Sequence, residues 1–225
     1  MIKHTVSEYL TFFREFHNHG APTGALTPSG RHLARALGEP LRERSRPARI
    51  LEVGPGTGAV TRELVRNIGP EDQFDVVELN DRFVDVLRRR FDSEPHFQQV
   101  ANRTRILHQP VQEWKPEKGY DFIICGLPFN NFTVGLVKCI FRHFEDLLAP
   151  DGTLSFFEYA WIHEIKRRLT TSEDRRRIAQ VRRVLQRYLN LYEFRQQLVY
   201  LNLPPAIVHY LRFHQAGHPN LQDAR

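Results

Sequence analysis

A glycine-rich loop preceded by an acid is the feature of this sequence best suited to chemistry. It reads Glu52-Val53-Gly54-Pro55-Gly56-Thr57-Gly58, with glycines at alternate positions. Dinucleotide pyrophosphates are bound by a G-x-G-x-x-G turn, and nucleoside triphosphates by a loop that ends in GK[ST]. This loop has neither pattern. Its ligand is therefore expected to be something other than a dinucleotide or a triphosphate.

Two acids near the loop suggest a ligand that carries an amino-acid group and a ribose. Glu52 lies near the end of the first predicted strand and can bind an ammonium. The glycines allow close approach to the backbone, and Pro55 stiffens the turn. Glu78 ends the next predicted strand, where a carboxylate can accept hydrogen bonds from both ribose hydroxyls. S-adenosylmethionine contains all these groups, so the loop is predicted to bind it.

Further cofactor contacts are predicted after the second and third strands. Leu79 directly follows Glu78. An acid after the third strand would suit the adenine amino group of this cofactor, but the segment reads ILHQPVQEW, with Pro110 at that point. Gln109 or the backbone of Val111 is expected to serve instead.

The methyl acceptor is expected at the end of the fourth predicted strand, because ligands of such sheets bind at the carboxyl ends of the strands. The segment there is Gly126-Leu127-Pro128-Phe129-Asn130. Gly126 is assigned to the cofactor, Leu127 and Pro128 to the substrate, and Phe129 and Asn130 to the walls of the acceptor pocket.

Proton removal is assigned to the end of the fifth predicted strand. Methyl transfer from a sulfonium is an in-line displacement that needs no metal, but a protonated amine has no lone pair with which to attack. Glu158 or Tyr159 is therefore expected to accept the proton or to orient the acceptor.

These residues lie in a pattern of short apolar runs that alternate with helical stretches, which is typical of a parallel sheet covered on both faces. The fold class predicted is α/β, a Rossmann-like seven-stranded sheet within a catalytic domain over residues 48–225. Strands are predicted at 49–53, 74–79, 104–108, 120–125 and 153–159, with RQQLVYLN and AIVHYLRF as a closing antiparallel pair. Helices are predicted at 59–69, 81–91 and 133–148.

Residues 1–47 are predicted to form two helices that serve as a membrane anchor or a substrate lid. The first, over residues 5–17, is amphipathic and rich in aromatics, which is typical of a helix lying in a membrane interface. The second begins at Pro28 and ends at Gly38. The aromatic residues assigned to the membrane or substrate are Tyr9, Phe12, Phe13 and Phe16.

The net charge of +6 is concentrated between residues 162 and 190, a stretch that contains nine basic residues and three acids. This stretch is predicted to be a basic helical insertion. It would attract phosphates of anionic lipids or of nucleic acid. A solvated helix face is the other interpretation.

Composition limits the remaining possibilities. The two cysteines, Cys125 and Cys139, form no CxxC or Cys/His cluster, so neither a disulfide framework nor a zinc site is expected. No apolar run reaches the roughly 20 residues that span a bilayer. The expected location is the cytoplasm, peripherally on the inner face of the membrane.

Several motifs together are similar to the bacterial phospholipid N-methyltransferase family. They are TGALTPSGRHLARAL before the first strand, LEVGPGTGAVTREL, GLP at 126–128 and NLPPAIVHYLRF near the end. The resemblance implies methylation of the amine headgroup of phosphatidylethanolamine, its methylated derivatives or another aminolipid such as an ornithine lipid. It also implies S-adenosylhomocysteine as product and a zwitterionic or anionic membrane as partner.

Two other functions stay open. The segment 126–129 also resembles the Asn-Leu-Pro-Tyr motif of rRNA adenine dimethylases, but Gly126 lacks the side chain that would bind the adenine amino group. An rRNA adenine N6-dimethyltransferase is therefore the alternative, and nucleic acid the less expected partner. The third possibility is an interaction protein that binds the cofactor without catalysis.

Overall fold

The computed structural model describes residues 28–160 and 172–213, which form an α/β fold around one seven-stranded sheet. The strands are β1 Arg49–Val53, β2 Gln73–Glu78, β3 Thr104–His108, β4 Tyr120–Cys125, β5 Leu148–Tyr159, β6 Glu193–Val199 and β7 Ala206–Leu211. The helices are α1 Pro28–Leu37, α2 Glu39–Glu43, α3 Thr61–Leu64, α4 Asp81–Ser93, α5 Pro95–Gln98, α6 Val134–Leu147 and α7 Ser172–Tyr192. Short 3-10 turns cover Val65–Asn67, Ala101–Arg103, Val111–Glu113 and Phe129–Asn131.

The strand order is β3-β2-β1-β4-β5-β7-β6, and β7 runs antiparallel to both of its neighbours. The other neighbouring pairs are parallel. We call the edge at which β1 to β5 end the carboxyl edge. Because Tyr159 and Val199 both pair with Ala206, the turn between β6 and β7 also lies at this edge.

The predicted strands and the closing antiparallel pair are confirmed, although several boundaries differ. β5 begins at Leu148 rather than at residue 153, and the register with β4 shifts in its irregular first part. The segment predicted as one helix over 59–69 is α-helical only in α3 and continues as a 3-10 turn to Asn67. Asn80 caps α4, since its side chain accepts hydrogen bonds from the N–H groups of Arg82 and Phe83.

Helix α7 is the described part of the predicted basic stretch 162–190, and one of its sides is part of the core. Its buried stripe is packed with α6 against one face of the sheet. The stripe recurs at the helical period and consists of Val181, Leu185, Tyr188, Leu189 and Tyr192. The arginines of this helix other than Arg177 are exposed. Residues 161–171 lie outside the described part of the chain.

Helices α1 and α2 belong to the core on the opposite face of the sheet, together with α3 and α4. Leu33, Leu37 and Leu41 are almost fully buried in the same cluster as Ile50 of β1. The boundary predicted at residue 47 therefore does not divide two units, and residues 28–43 are a layer of the fold rather than a lid. Residues 1–27, with Tyr9, Phe12, Phe13 and Phe16, lie outside the described residues.

Candidate active site

The glycine loop between β1 and α3 takes a backbone shape that only glycine adopts readily. Gly54, Gly56 and Gly58 have φ of 68°, 58° and 82°, in the left-handed region that a β-carbon disfavours. The loop packs tightly at its ends, because a β-carbon on Gly54 would lie 2.4 Å from Cδ2 of Leu127 and one on Gly58 3.0 Å from Cδ2 of Leu87. At Gly56 a β-carbon would meet nothing within 4 Å. The middle of the loop is thus open to a ligand.

Glu78 holds this loop against the end of β2. Its buried carboxylate accepts hydrogen bonds from the backbone N–H groups of Gly56 at 3.0 Å and of Leu79 and Asn80 at 2.8 Å each. Burial raises the pKa of Glu78, and these three hydrogen bonds oppose the rise. Glu78 therefore shapes the loop in addition to its predicted role toward the ribose, which stays a prediction.

Glu52 is a buried acid whose carboxylate oxygens have no hydrogen-bond partner among the described residues. Its side chain is 1% exposed, and among the described residues neither carboxylate oxygen makes a hydrogen bond of ordinary geometry. Burial raises the pKa of Glu52 to about 8; neighbouring Thr61 lowers it somewhat and Glu78 adds to the rise. A buried acid of this kind is satisfied by a cation, as the ammonium of an amino-acid group would provide. The site thus fits S-adenosylmethionine.

The other predicted cofactor contacts lie at the ends of the neighbouring strands. β2 and β3 are paired so that Glu78 stands beside His108, whose Nε2 lies 3.1 Å from the carbonyl oxygen of Leu79. Gln109 follows and is half-buried, while Val111 is buried at the start of a 3-10 turn. The structure therefore brings Leu79, Gln109 and Val111 to the same edge as the glycine loop.

Gly126 lies where the loops after β1 and β4 touch. Its N–H donates to the carbonyl oxygen of Val53 at 2.8 Å, and a β-carbon on Gly126 would lie 2.7 Å from the carbonyl oxygen of Gly54. Any side chain at this position would push the glycine loop away. The sequence showed that an acceptor side chain is missing here, and the structure adds that there is no room for one.

The rest of the predicted acceptor segment divides between core and surface. Leu127 is buried against Gly54, and Phe129 is buried in an aromatic cluster with Phe132, Phe141 and Phe156. Pro128 and Asn130 are half-buried. The Oδ1 atom of Asn130 is buried without a hydrogen-bond partner among the described residues. Asn130 thus offers a free polar atom near the carboxyl edge, whereas the Phe129 ring packs in the core.

Arg177 of α7 fixes this segment, a role that sequence reasoning missed. Its guanidinium donates to the carbonyl oxygens of Asn130 at 3.0 Å and Phe132 at 3.1 Å, and pairs with Asp174. In the sequence Arg177 was one of nine basic residues, and nothing in the charge pattern set it apart.

Comparison with known proteins places this site in a family. A methyltransferase-domain family model matches residues 50–152, from β1 into β5. An ornithine lipid N-methyltransferase of Singulisphaera acidiphila is 30% identical over 161 residues, which cover 71% of this chain and 82% of that protein. The chain belongs to the class I S-adenosylmethionine-dependent methyltransferases.

Further methyltransferases are similar to this chain in sequence or in fold. Ribosomal RNA small subunit methyltransferase A of Dehalococcoides mccartyi is 34% identical over 109 residues, covering 46% of this chain and 32% of that protein. An O-methyltransferase from Bacillus cereus in complex with S-adenosylhomocysteine superposes with a TM-score of 0.62 at 14% identity, over 92% of this chain and 91% of that chain. The O-methyltransferase TomG from Streptomyces achromogenes, in complex with S-adenosylmethionine, gives 0.61 at 15% identity, over 92% and 89%. These structures share the fold.

Three titratable side chains lie in a row near the end of β5 in this methyltransferase, on the face of the sheet covered by α7. Glu158 lies 3.6 Å from Nε2 of the buried His209 in β7, and Nδ1 of His209 lies 2.5 Å from Glu193. Burial raises the pKa of Glu158, while His209 and Arg182 lower it and Glu193 raises it. His209 was not predicted, although a single histidine in the apolar run AIVHYLRF was a visible signal.

Tyr159 lies on the other face of the sheet, as expected for the next residue of a strand. Its ring contacts Phe157 at 5.2 Å and packs against the α1 side of the core. Burial raises the pKa of its hydroxyl. The two candidates for the proton acceptor thus face different surroundings, and only Glu158 is joined to further titratable groups.

No helix in the described ranges is long and apolar enough to cross a membrane. Within the same residues no group of three or more histidines, cysteines or acids is placed to hold a metal ion.

Proposed function

We propose that this methyltransferase transfers methyl groups to the amine headgroup of a membrane lipid, either phosphatidylethanolamine and its methylated derivatives or an ornithine lipid. The observation that carries the proposal is the relationship to the ornithine lipid N-methyltransferase, which extends over most of both chains. The relationship to the rRNA methyltransferase covers only 32% of that protein. The lipid would be reached by peripheral association with the cytoplasmic face of the membrane.

The chemistry of such an acceptor requires a proton acceptor near the carboxyl edge. S-adenosylmethionine supplies an electrophilic methyl group, and the amine nitrogen must present a lone pair in line with it. A primary amine is mostly protonated at neutral pH, because its pKa lies near 10 as in lysine. Glu158 is assigned the role of taking this proton, since a buried carboxylate with a raised pKa is closer in basicity to the amine.

His209 and Glu193 offer this proton an exit. The Glu158 carboxylate, the His209 imidazole and the partly exposed Glu193 carboxylate lie in sequence from the end of β5 toward the edge strand β6. A histidine is suited to relay protons because one ring nitrogen can accept a proton while the other releases one. Each methyl transfer to a primary or secondary amine releases one proton, so this route would be used once in every such turnover.

Asn130 is assigned to orient the acceptor. Its buried Oδ1 has no hydrogen-bond partner among the described residues, and a buried polar atom is stable only when it is paired. An ammonium or amine N–H of the headgroup would satisfy it. Arg177 holds the backbone of Asn130 in place for this contact.

Methylation of adenine in rRNA is the second candidate, supported by the rRNA relatives and by the exposed arginines of α7. Adenine N6 is a poor nucleophile because its lone pair is delocalised into the ring. An enzyme that uses it needs an acceptor group on the amino hydrogens. The close approach of Gly54 to Gly126 leaves no room for such a side chain, which favours the aliphatic amine.

The two functions are separated by one assay with three acceptors. Purified protein and S-adenosylmethionine with a labelled methyl group are offered phosphatidylethanolamine vesicles, ornithine-lipid vesicles and unmethylated small-subunit rRNA. We expect label in a lipid and none in RNA. Label in RNA alone would overturn the proposal. Glu52→Gln serves as the inactive control, because its loss of cofactor binding should abolish labelling of every acceptor.

A further inference from the structure

The turn between β6 and β7 places apolar side chains in solvent at the carboxyl edge. Tyr200, Leu201 and Leu203 are 69%, 68% and 87% exposed, and no other leucine in the described residues reaches 40%. Leu198, near the end of β6, adds a further side chain that is 37% exposed. Large apolar side chains grouped in this way on a protein surface indicate an interaction site.

This turn is held in shape while its apolar side chains stay outside. The Asn202 side chain is buried and donates to the carbonyl oxygen of Pro204 at 2.7 Å. The backbone N–H of Asn202 donates to the carbonyl oxygen of Val199 at 3.3 Å. The N–H of Ala160, directly after β5, donates to the carbonyl oxygen of Pro205 at 2.7 Å. The exposed leucines are thus carried by a turn that is tied to the end of β5, two residues from Glu158.

Positive charge lies at the same edge of the fold. The contact of Arg177 with the carbonyl oxygen of Asn130 places the first turns of α7 beside the loop that follows β4. Exposed arginines on this half of the helix outnumber its two acids, Glu173 and Asp174. They are Arg175, Arg176, Arg182 and Arg183. An apolar tip beside a basic surface is complementary to a bilayer that contains anionic lipids.

We propose that the turn 200–203 inserts into the membrane interface and seats the carboxyl edge on the lipid surface. Leu201 and Leu203 enter the acyl region, Tyr200 lies at headgroup level, and the α7 arginines contact lipid phosphates. The headgroup amine then reaches Asn130 and Glu158 without the lipid leaving the bilayer. The inference rests on the proposed lipid acceptor for its purpose, but the insertion is measurable without any turnover.

The depth of the turn is measured with an environment-sensitive fluorophore on a single cysteine. In a Cys139→Ser background, where the remaining Cys125 is buried, Leu203→Cys is labelled and mixed with vesicles of phosphatidylethanolamine and phosphatidylglycerol. We expect a blue shift and quenching by bromine on the acyl chains. Ser93→Cys, exposed at the far end of α4 on the opposite edge, is the matched control and should show neither. Equal signals at both positions, or none at Leu203→Cys, would overturn insertion of the turn.

Activity then tests whether the insertion serves the reaction. Leu201→Ser/Leu203→Ser is compared with Phe194→Ser, which removes a 40% exposed side chain near the other end of β6. We expect the double variant to lose about tenfold or more of its rate on vesicles, and to keep wild-type activity on a short-chain aminolipid dissolved below its micelle concentration. Phe194→Ser should change neither.

Two outcomes contradict the inference, and a third separates it from the proposed function. Equal loss on vesicles and on the dissolved lipid would mean that the turn belongs to the catalytic site rather than to a membrane contact. Conversion of a dimer to a monomer by the double variant, with unchanged vesicle binding, would assign the surface to a second copy of the chain. If no aminolipid is methylated while the Leu203→Cys label still inserts, the proposed function fails and the membrane contact stands.

Discussion

The carbonyl oxygen of Gly54 lies 2.7 Å from the point that a β-carbon on Gly126 would occupy. The loops that follow β1 and β4 therefore meet backbone to backbone, and the cofactor loop rests on the acceptor segment. Glycine at position 126 allows this contact, since any side chain there must displace the cofactor loop.

This contact predicts that Gly126→Ala weakens S-adenosylmethionine binding by about tenfold or more, because the new methyl group must displace the Gly54 carbonyl. Gly135→Ala in α6 is the matched control, since a β-carbon there meets nothing within 4 Å. In a helix the change should raise the free energy of unfolding by up to about 1 kcal/mol. Calorimetric titration measures the affinity, and equal affinities in the two variants would contradict the prediction.

Glu52 predicts that cofactor binding strengthens with pH. Its pKa is about 8, so at pH 6 the carboxyl group is neutral and must release a proton to pair with an ammonium. Affinity should rise from pH 6 to pH 8 and then level off. Titrations at pH 7 in buffers of different ionisation enthalpy should reveal the released proton. Glu71→Gln, at an exposed loop position, should release the same proton, whereas Glu52→Gln should bind weakly and release none.

The same acid predicts the pH dependence of stability without cofactor. Between its ordinary value of 4.5 and about 8, Glu52 binds a proton in the folded protein that the unfolded chain has lost. The free energy of unfolding therefore falls as the pH rises through this window, by at most about 1.4 kcal/mol per unit. In Glu52→Gln the free energy of unfolding should not show this decrease with pH, because glutamine does not titrate. The melting temperature of the variant should therefore exceed that of the wild type by more at pH 8 than at pH 5. A constant difference would show that Glu52 is ionised throughout.

The sheet and the cofactor site could be predicted because their signals are local. Adjacent β-branched residues such as the two valines of DVVEL indicate a buried strand, and glycines at alternate positions indicate a tight turn. The assignment of Glu52 and Glu78 to the carboxyl edge followed from the parallel pattern alone, and the paired strands confirm that placement.

The acceptor side depends on contacts between distant segments, which the sequence pattern does not contain. His209 lies beside Glu158 only because β7 pairs with β5 in a particular register, across about 50 residues. The packing of helix α7 against the sheet was missed for another reason. The charged residues of this helix outnumber its buried ones. A prediction based on charge alone therefore overlooked the apolar stripe of Val181, Leu185 and Tyr188 at helical spacing.

Glu158 predicts a change in the pH–rate profile. Without its carboxylate the headgroup amine must lose its proton to water, so Glu158→Gln should lower the rate on lipid by about a hundredfold near pH 7. The loss should shrink toward pH 9.5, where more of the amine is free, whereas the wild-type rate should level off once Glu158 is ionised. Tyr159→Phe, on the other face of the sheet, should leave the profile unchanged. A profile altered by Tyr159→Phe and not by Glu158→Gln would reverse the assignment.

His209→Gln should lower the rate less than Glu158→Gln does, by about tenfold, because Glu158 can still accept the proton but has lost its route of release. The rate of this variant should rise with the concentration of a small external buffer such as imidazole. If the buffer does not restore the rate and the melting temperature is unchanged, His209 does not relay protons. Its role would then be to pack against Phe156, whose ring centroid lies 5.1 Å away.

Arg177 predicts a defect specific to the acceptor. Its guanidinium bonds the carbonyl oxygens of Asn130 and Phe132, and removing a half-buried charged donor leaves both oxygens without it at a cost of about 1–3 kcal/mol. Arg177→Met should therefore lower the melting temperature and raise the KM for the lipid, while the KM for S-adenosylmethionine stays near wild type, because Glu52 and Glu78 are held by other elements. Arg183→Met, which removes an exposed arginine from the same helix, controls for the loss of positive charge. If both variants raise the lipid KM equally, the effect belongs to the surface charge of α7. If Arg177→Met alone does so, the position of Asn130 sets the affinity for the acceptor.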